Sequence, residues 1–327
     1  MLDFENVRID VVGDVIFDEF TYGHRTRPSA EDMAAYCYTV GREEQLPGSA
    51  GCTARCIVAL GGQASVFSVT GSGRTAKRLS DMLEKLGIAV HFIRDDDRTT
   101  TVKQRLVDAV TGRQVAVIER QTRDPIAAWS EAALMTKLSE SKAEIIAVTD
   151  NDRGVVTPGL AQQLSAFAAE RGKKLIVDAR PRSVTWYQEH FPHLYLITPN
   201  LHETEIMLGG GSIRTRDDID AAGRKLQALL NCNVLITMSE EGAKLFPVEG
   251  EAEELAYCAL NGAPVCVSGA GDTVVATIAL CVGAGMSLGA GCEVAMHAAA
   301  ITVSKEGTAV ADHHDLQARL EQIQFSH

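Results

Sequence analysis

Two hydrophobic periods alternate along this chain. Val7 to Val12, Ala64 to Thr70, Ala89 to Ile93, Ile145 to Thr149, Lys174 to Asp178, Leu194 to Thr198 and Val234 to Met238 are short runs rich in β-branched residues. Runs of that length and composition predict strands buried on both faces. Between them, Thr53 to Leu60, Lys77 to Leu86, Ser130 to Ser141, Pro158 to Arg171, Leu201 to Leu208 and Arg216 to Leu230 carry helical patterns. Strand and helix in alternation predict an α/β fold in three layers, with a mostly parallel central sheet and helices on both faces. The C-terminal part adds antiparallel pieces at Lys244 to Pro247 and Glu254 to Ala259. Helices then follow behind Val267 to Thr273, from Leu288 to about Lys305 and from Asp315 to Ile323.

Two stretches depart from that rhythm. Phe17 to Leu46 is polar, lacks a helical period and contains a β-like piece at Ala34 to Val40. Thr101 to Val107 and Gln114 to Glu119 alternate in the manner of strands, and the Asp108 to Arg113 segment between them has hairpin composition. These stretches predict a small β lid, formed by roughly 17–46 and 99–120, on one domain spanning 1–327. Val7 to Val12 ends in Gly13-Asp14, which places an acid at the carboxyl end of a strand, where α/β sheets bind ligands.

Composition narrows the class. The 327 residues are 46% hydrophobic and 23% charged, which is the make-up of a soluble globular protein. A net charge of −12 argues against nucleic-acid and anionic-membrane partners. Eight cysteines lie in apolar surroundings without a CxxC pair, so free thiols fit better than disulfides or zinc. The N-terminus lacks a basic flank and apolar core, and no apolar run reaches membrane-spanning length. The expectation is a cytoplasmic protein.

The strongest candidate chemistry lies in Val267-Ser268-Gly269-Ala270-Gly271-Asp272-Thr273, which precedes the apolar run Val274 to Ala284. Such a stretch turns backbone N–H groups toward an anion at a helix start and sets a carboxylate beside them. Phosphoryl transfer needs that arrangement, together with a group that accepts the proton of the attacking hydroxyl. Asp272 is the candidate base, and Gly269, Ala270 and Gly271 form the candidate anion hole. On these residues alone, a tight turn with Asp272 as a helix cap is an equal reading. No GxxxxGK[ST] exists, and Gly71-Ser72-Gly73 lacks the third glycine of a dinucleotide site.

Several motifs together resemble the ribokinase/PfkB family of carbohydrate kinases, and most closely its heptose-7-phosphate kinase branch. Gly13-Asp14-Val15-Ile16-Phe17-Asp18 is similar to GDVMLD. Thr149 to Gly154 resembles SDYxKG, and Thr198-Pro199-Asn200-Leu201-His202-Glu203 matches TPNxxE. Thr237 to Gly242 resembles TxSExG, Val267 to Thr273 matches VTGAGDT, and Lys305-Glu306-Gly307-Thr308 echoes KxGT. The matches run in family order over nearly the whole chain. The resemblance implies a ribokinase-like fold and an ATP- and Mg²⁺-dependent kinase acting on a sugar or sugar phosphate, with Asp272 as base. It implies that Asn200 and Glu203 place magnesium and phosphates, and that Thr237, Ser239 and Gly242 lie along the nucleotide with His297 near the base. It also implies that Asp14, Asp18, Gly48, Ser49 and Cys52 face the sugar.

Lys103 and Arg105, two apart on a lid strand, share a face and are candidates for a substrate phosphate, although a solvated basic face explains them equally. Arg120 and Arg180 are further candidates. Pairing of lids into a homodimer is expected from the family, with Ala34 to Val40 as the apolar face.

The departures from the family pattern bear on specificity. Gly48-Ser49-Ala50-Gly51-Cys52-Thr53-Ala54 stands where the family has GGAANVA, so serine replaces the second glycine and cysteine replaces the sugar-binding asparagine. A thiol is a poor substitute for an amide that both donates and accepts. Cys266 replaces an acid associated with a monovalent-cation site, so potassium activation is not expected. Two other readings stay open: a kinase of the same fold acting on a nucleoside or small alcohol, and a non-catalytic homologue that only binds.

Overall fold

The computed structural model describes residues 2–255, 269–305 and 309–324. The first half of the chain carries β1 (Arg8–Gly13), β2 (Val15–Pro28), β3 (Tyr36–Ser49), α1 (Ala50–Ala59), β4 (Gln63–Thr70), α2 (Arg74–Lys85), β5 (Ala89–Arg94), β6 (Thr101–Asp108), β7 (Gln114–Arg120), α3 (Ala128–Ser139) and β8 (Ile145–Thr149). The second half carries α4 (Pro158–Glu170), β9 (Lys174–Asp178), α5 (Val184–His190), β10 (Leu196–Ile197), α6 (Leu201–Met207), α7 (Arg216–Leu230), β11 (Asn233–Thr237), β12 (Ala243–Phe246), β13 (Glu253–Leu255), α8 (Ala270–Gly283), α9 (Leu288–Ser304) and α10 (His313–Gln324).

Among the described residues the central sheet has nine strands, in the order β13-β12-β11-β10-β9-β8-β1-β4-β5. Pairing is parallel from β5 to β11, and only β12 and β13 at one edge are antiparallel. Buried on both faces, β1 and β8 need apolar side chains on each side. Val11 packs into one core with α1, α8 and α9, while Val12 packs into the other with α3 and α4. Crossover helices place these layers, as parallel pairing requires.

The smaller sheet has the order β3-β2-β6-β7. Its first two strands are each 14 residues long and pair from Val15↔Ser49 out to Pro28↔Tyr36, so pairing starts beside the end of β1. The sequence-based expectation assigned 17–46 to a β lid but located a strand piece within it only at Ala34 to Val40. Charged residues such as Arg42, Glu43 and Glu44 hid the rest, because both faces of β3 are largely exposed and leave no two-residue period to read. β2 and β6 pair in parallel, and β6 and β7 form the antiparallel hairpin. Helix α5, capped by the Ser183 hydroxyl, had no sequence-level expectation; its seven residues are too few to show a period. Cys258, Cys266, Val267, Ser268 and the Glu306-Gly307-Thr308 stretch lie outside the described residues, as does the expected strand beyond Leu255.

Candidate active site

Helix α8 enters through Gly269, whose φ of 83° lies in the left-handed region that favours glycine. Ala270, Gly271 and Asp272 are then the first three helical residues, and their N–H groups have no partner within the helix. Among the described residues, a Cβ added at Gly271 would meet no atom within 4 Å, so the backbone is uncovered on that side. Thr273 Oγ1 donates to the Gly269 carbonyl at 2.9 Å and fixes the turn from behind.

Asp272 stands at the junction of α8 with α1. Thr53 Oγ1 donates to its Oδ1 at 2.7 Å. Burial raises the Asp272 carboxyl above its ordinary value, although the Thr53 and Cys52 hydrogen bonds and the charge of Arg55 pull the other way. A carboxylate of raised basicity, aimed into a cavity, suits proton abstraction. The Cys52 thiol, hydrogen-bonded to Cys56, buried and close to Asp272, is pushed well above its usual range. It is a neutral thiol and not a nucleophile.

Asp272 lines a cavity of about 240 Å³. The other walls come from Ile16 and Asp18 of β2, from Gly48 and Ser49 of β3, from Cys52 and Arg55 of α1, and from Lys103 and Arg105 of β6. Asn151, Asp178, Gly269 and Gly271 also line it, and Leu46, Pro47, Ala309 and Val310 add apolar surface. Asp18 accepts from Arg105 Nη1 at 2.5 Å, and Lys103 lies 3.5 Å from Glu119. Burial raises the Asp18 carboxyl, opposed first by the charge of Arg105. Gly48 is required by closeness: a Cβ there would fall 2.1 Å from Asp18 Oδ2.

A second cavity, of about 300 Å³, lies on the other side of the α8 start. Asn200, Thr237, Ser239, Glu240 and Gly242 form its polar side, and Val274, Met296, Ala299 and Val303 its apolar side. Ala270 and Gly271 close the end nearest the first cavity, and Gly271 borders both. The helix start therefore stands between two chambers of different character.

Not every candidate residue takes its expected place. Asp14 is buried and does not line the main cavity. Its carboxylate accepts from the N–H groups of Asn151 (2.7 Å), Arg153 (3.1 Å) and Val155 (3.2 Å). Burial, helped by the nearby Asp150 charge, raises its pKa to about 6. Asn200 and Glu203 form a reciprocal cap: Asn200 Oδ1 accepts from the Glu203 N–H at 2.9 Å, and Glu203 Oε2 accepts from the Asn200 N–H at 2.8 Å. Asn200 still borders the second cavity. His297 turns away from it: Nδ1 accepts from Arg319 Nε at 3.1 Å, and Met296 and Ala299 line the wall instead. Arg120, on the outer strand β7, donates to Gln104 of β6, and Arg180 donates to the Asp150 carbonyl; neither borders the main cavity.

Three polar residues of this cavity went unassigned in the sequence reading: Arg55, Asn151 and Asp178. Asp178 ends β9, and acids at strand ends were the available signal. Burial first, then the charges of Asp272 and Glu203, hold its carboxyl well above the ordinary range. Mutual repulsion among these acids favours a hard divalent cation held through water, since among the described residues they do not converge tightly enough to ligate one directly. Among the described residues, Asp312, His314 and Asp315 are the only tight acid and histidine cluster, and Lys305 already pairs with both of those acids.

Comparison with known proteins places these features. The family model described as pfkB family carbohydrate kinase matches residues 10–314. The bifunctional protein HldE of Geobacter metallireducens is 35% identical over 302 residues, covering 91% of this chain and 60% of that protein. HldE of Halorhodospira halophila is 33% identical over 97% of this chain and 64% of its own length. The chain thus spans a little under two thirds of these relatives. Phosphofructokinase-2 from Escherichia coli, solved with substrates and products, superposes with a TM-score of 0.82 at 20% identity, covering 97% of this chain and all of that one. Ribokinase from Arabidopsis thaliana, complexed with ribose and ATP, gives 0.75 at 17% identity over 96% and 99%. At those identities the likeness establishes a shared ribokinase-like fold.

Proposed function

Because the chain belongs to the pfkB family of carbohydrate kinases, we propose that it transfers the γ-phosphoryl group of ATP to a hydroxyl of a phosphorylated sugar of heptose 7-phosphate type. One observation carries the reading. The α8 start separates a cavity that holds Arg55, Lys103 and Arg105 beside three carboxylates from a more apolar one, and Gly271 borders both. The partly apolar chamber takes the nucleotide, with Thr237, Ser239 and Gly242 along it. The other takes the acceptor.

In this reading Asp272 removes the proton of the attacking hydroxyl. The open N–H groups of Ala270 and Gly271 meet charge as it develops on the transferred group. Asp18 accepts from acceptor hydroxyls, and Lys103, Arg105 and Arg55 give the chamber the positive charge a sugar phosphate needs. Magnesium neutralises phosphate charge when bound. Asn200, Glu203 and Asp178 would hold it, through water. The smaller sheet covers the acceptor as a lid.

Ile118, Val115 and Val117 on the outer strand of that sheet are exposed, as are Tyr36 and Val40 on its other edge strand. A second copy of the chain would cover this surface, giving a homodimer that sedimentation velocity would detect as twice the mass. Among the described residues no helix is long and apolar enough to cross a membrane, and the six described cysteines are free thiols. These features suit a cytoplasmic enzyme.

The test is ADP release with Mg-ATP across heptose 7-phosphates, hexose 6-phosphates, their unphosphorylated sugars and nucleosides. Preference for a phosphorylated sugar is the expected result. Preference for a nucleoside would replace the substrate assignment, and transfer to no acceptor with ATP still bound would replace the enzymatic one.

A further inference from the structure

Asp14 ties two backbone segments together. Its main-chain carbonyl accepts from the Ala50 N–H at 3.0 Å, at the start of α1. Its carboxylate gathers the Asn151, Arg153 and Val155 amides of the loop behind β8. Where those segments meet, Asn151 Nδ2 donates to Ser49 Oγ. Both residues border the acceptor cavity.

Ser49 holds φ 55° and ψ −125°, a region in which glycine is the ordinary occupant. A side chain there costs about 1–3 kcal/mol. The hydroxyl persists in spite of that strain and is buried. With Oγ accepting from Asn151, the Ser49 O–H and Asn151 Oδ1 have no further partner among the described residues. One donor and one acceptor side by side complement a sugar hydroxyl. Cys52, one turn further along α1, offers only a weakly bonding thiol.

We propose that Ser49 and Asn151 are the hydroxyl-reading pair of the acceptor cavity: Ser49 O–H donates to, and Asn151 Oδ1 accepts from, one acceptor hydroxyl. The pair supplies the donor-and-acceptor function that the Cys52 thiol lacks. This assignment rests on the carbohydrate-kinase reading of the cavity, and it identifies Ser49 and Asn151 as determinants of specificity.

The decisive comparison is steady-state kinetics with Mg-ATP and heptose 7-phosphate for wild type, Ser49→Gly, Asn151→Ala and the double variant, beside thermal unfolding of each. Ser49→Gly relieves the backbone, so its melting temperature should be unchanged or higher. Its acceptor KM should nonetheless rise about tenfold while the KM for ATP stays within twofold. Asn151→Ala should behave alike, and the double variant should be little worse than either single one, because the two groups act on one hydroxyl. An acceptor KM unchanged within twofold in Ser49→Gly, or an equal rise in both KM values, overturns the assignment. If wild type transfers only to a nucleoside, the substrate reading fails, and the same KM comparison on ribose hydroxyls still decides for or against the pair. Transfer to nothing overturns both.

Discussion

Helices α1 and α8 start beside one another, face the same cavity and enter through residues of positive φ, Ser49 at 55° and Gly269 at 83°. At α8 that position is glycine, and apart from the Asp272 side chain the wall is backbone. At α1 it is serine, and side chains project from the wall at Ser49, Cys52 and Arg55. On the proposed function, the contrast follows from what each start has to recognise. A phosphoryl group in transfer is the same in every turnover, so fixed amides and one base suffice. An acceptor must be distinguished from similar molecules, and that takes donors and acceptors on side chains.

Removing the base tests this contrast most severely. Asp272→Asn should lower kcat by about 10²- to 10⁴-fold while ATP still raises the melting temperature. Undiminished turnover would move the chemistry away from α8. On the acceptor side, Arg105→Ala removes the 2.5 Å partner of Asp18. It should raise the KM for a phosphorylated acceptor about 10- to 100-fold and that for the free sugar much less. An equal effect on both would mean that Arg105 orders Asp18 and does not meet phosphate.

A smaller effect is expected from Gly269→Ala. Its Cβ would sit 3.6 Å from Cys52 Sγ, an ordinary contact, so the loss comes from the left-handed backbone and should be about 1–2 kcal/mol in urea unfolding. Opposite stability changes in Gly269→Ala and Ser49→Gly would sharpen the comparison, and a stabilised Gly269→Ala would break it.

The smallest effect concerns pH. Burial raises Asp10 and Asp14 from 3.8 to about 6. Folded values above unfolded ones mean that these groups favour the fold most at low pH, and that this contribution is lost as pH rises through about 6. Stability from them should be greater at pH 5 than at pH 8. Asp10, on β1 and away from the cavity, has Oδ2 without a partner. Asp10→Asn should narrow the pH 5 to pH 8 difference by about 1–2 kcal/mol without altering acceptor KM, whereas an unchanged difference would assign the dependence elsewhere.

Local pattern carried much of the architecture. Val11-Val12 and Ile145 to Val148 read as strands because both of their faces are covered, and Pro158 and Asp218 mark helix starts by capping chemistry that acts within four residues. Gly269-Ala270-Gly271-Asp272 was legible for the same reason: turn, amides and acid are consecutive. The strands of β3 were not, since its exposed charges erase periodicity. Nor did the sequence separate Asp14 from Asp18. Four residues apart in one motif, the first turns inward to three amides and the second into the cavity, a difference set by the bend between β1 and β2.

By itself the sequence determined the alternation of elements, the parallel sheet and the glycine turn with its acid at the start of α8, because these depend on neighbours along the chain. Only the tertiary structure decided that Thr53 would hold Asp272 across 219 residues. It also decided that Asn151, 102 residues from Ser49, would become its partner, and that Asp178 would join the cavity while His297 turned to Arg319. Those placements depend on which strand ends lie side by side in the sheet, and strand order is set by packing summed over two cores, which no short stretch of residues records.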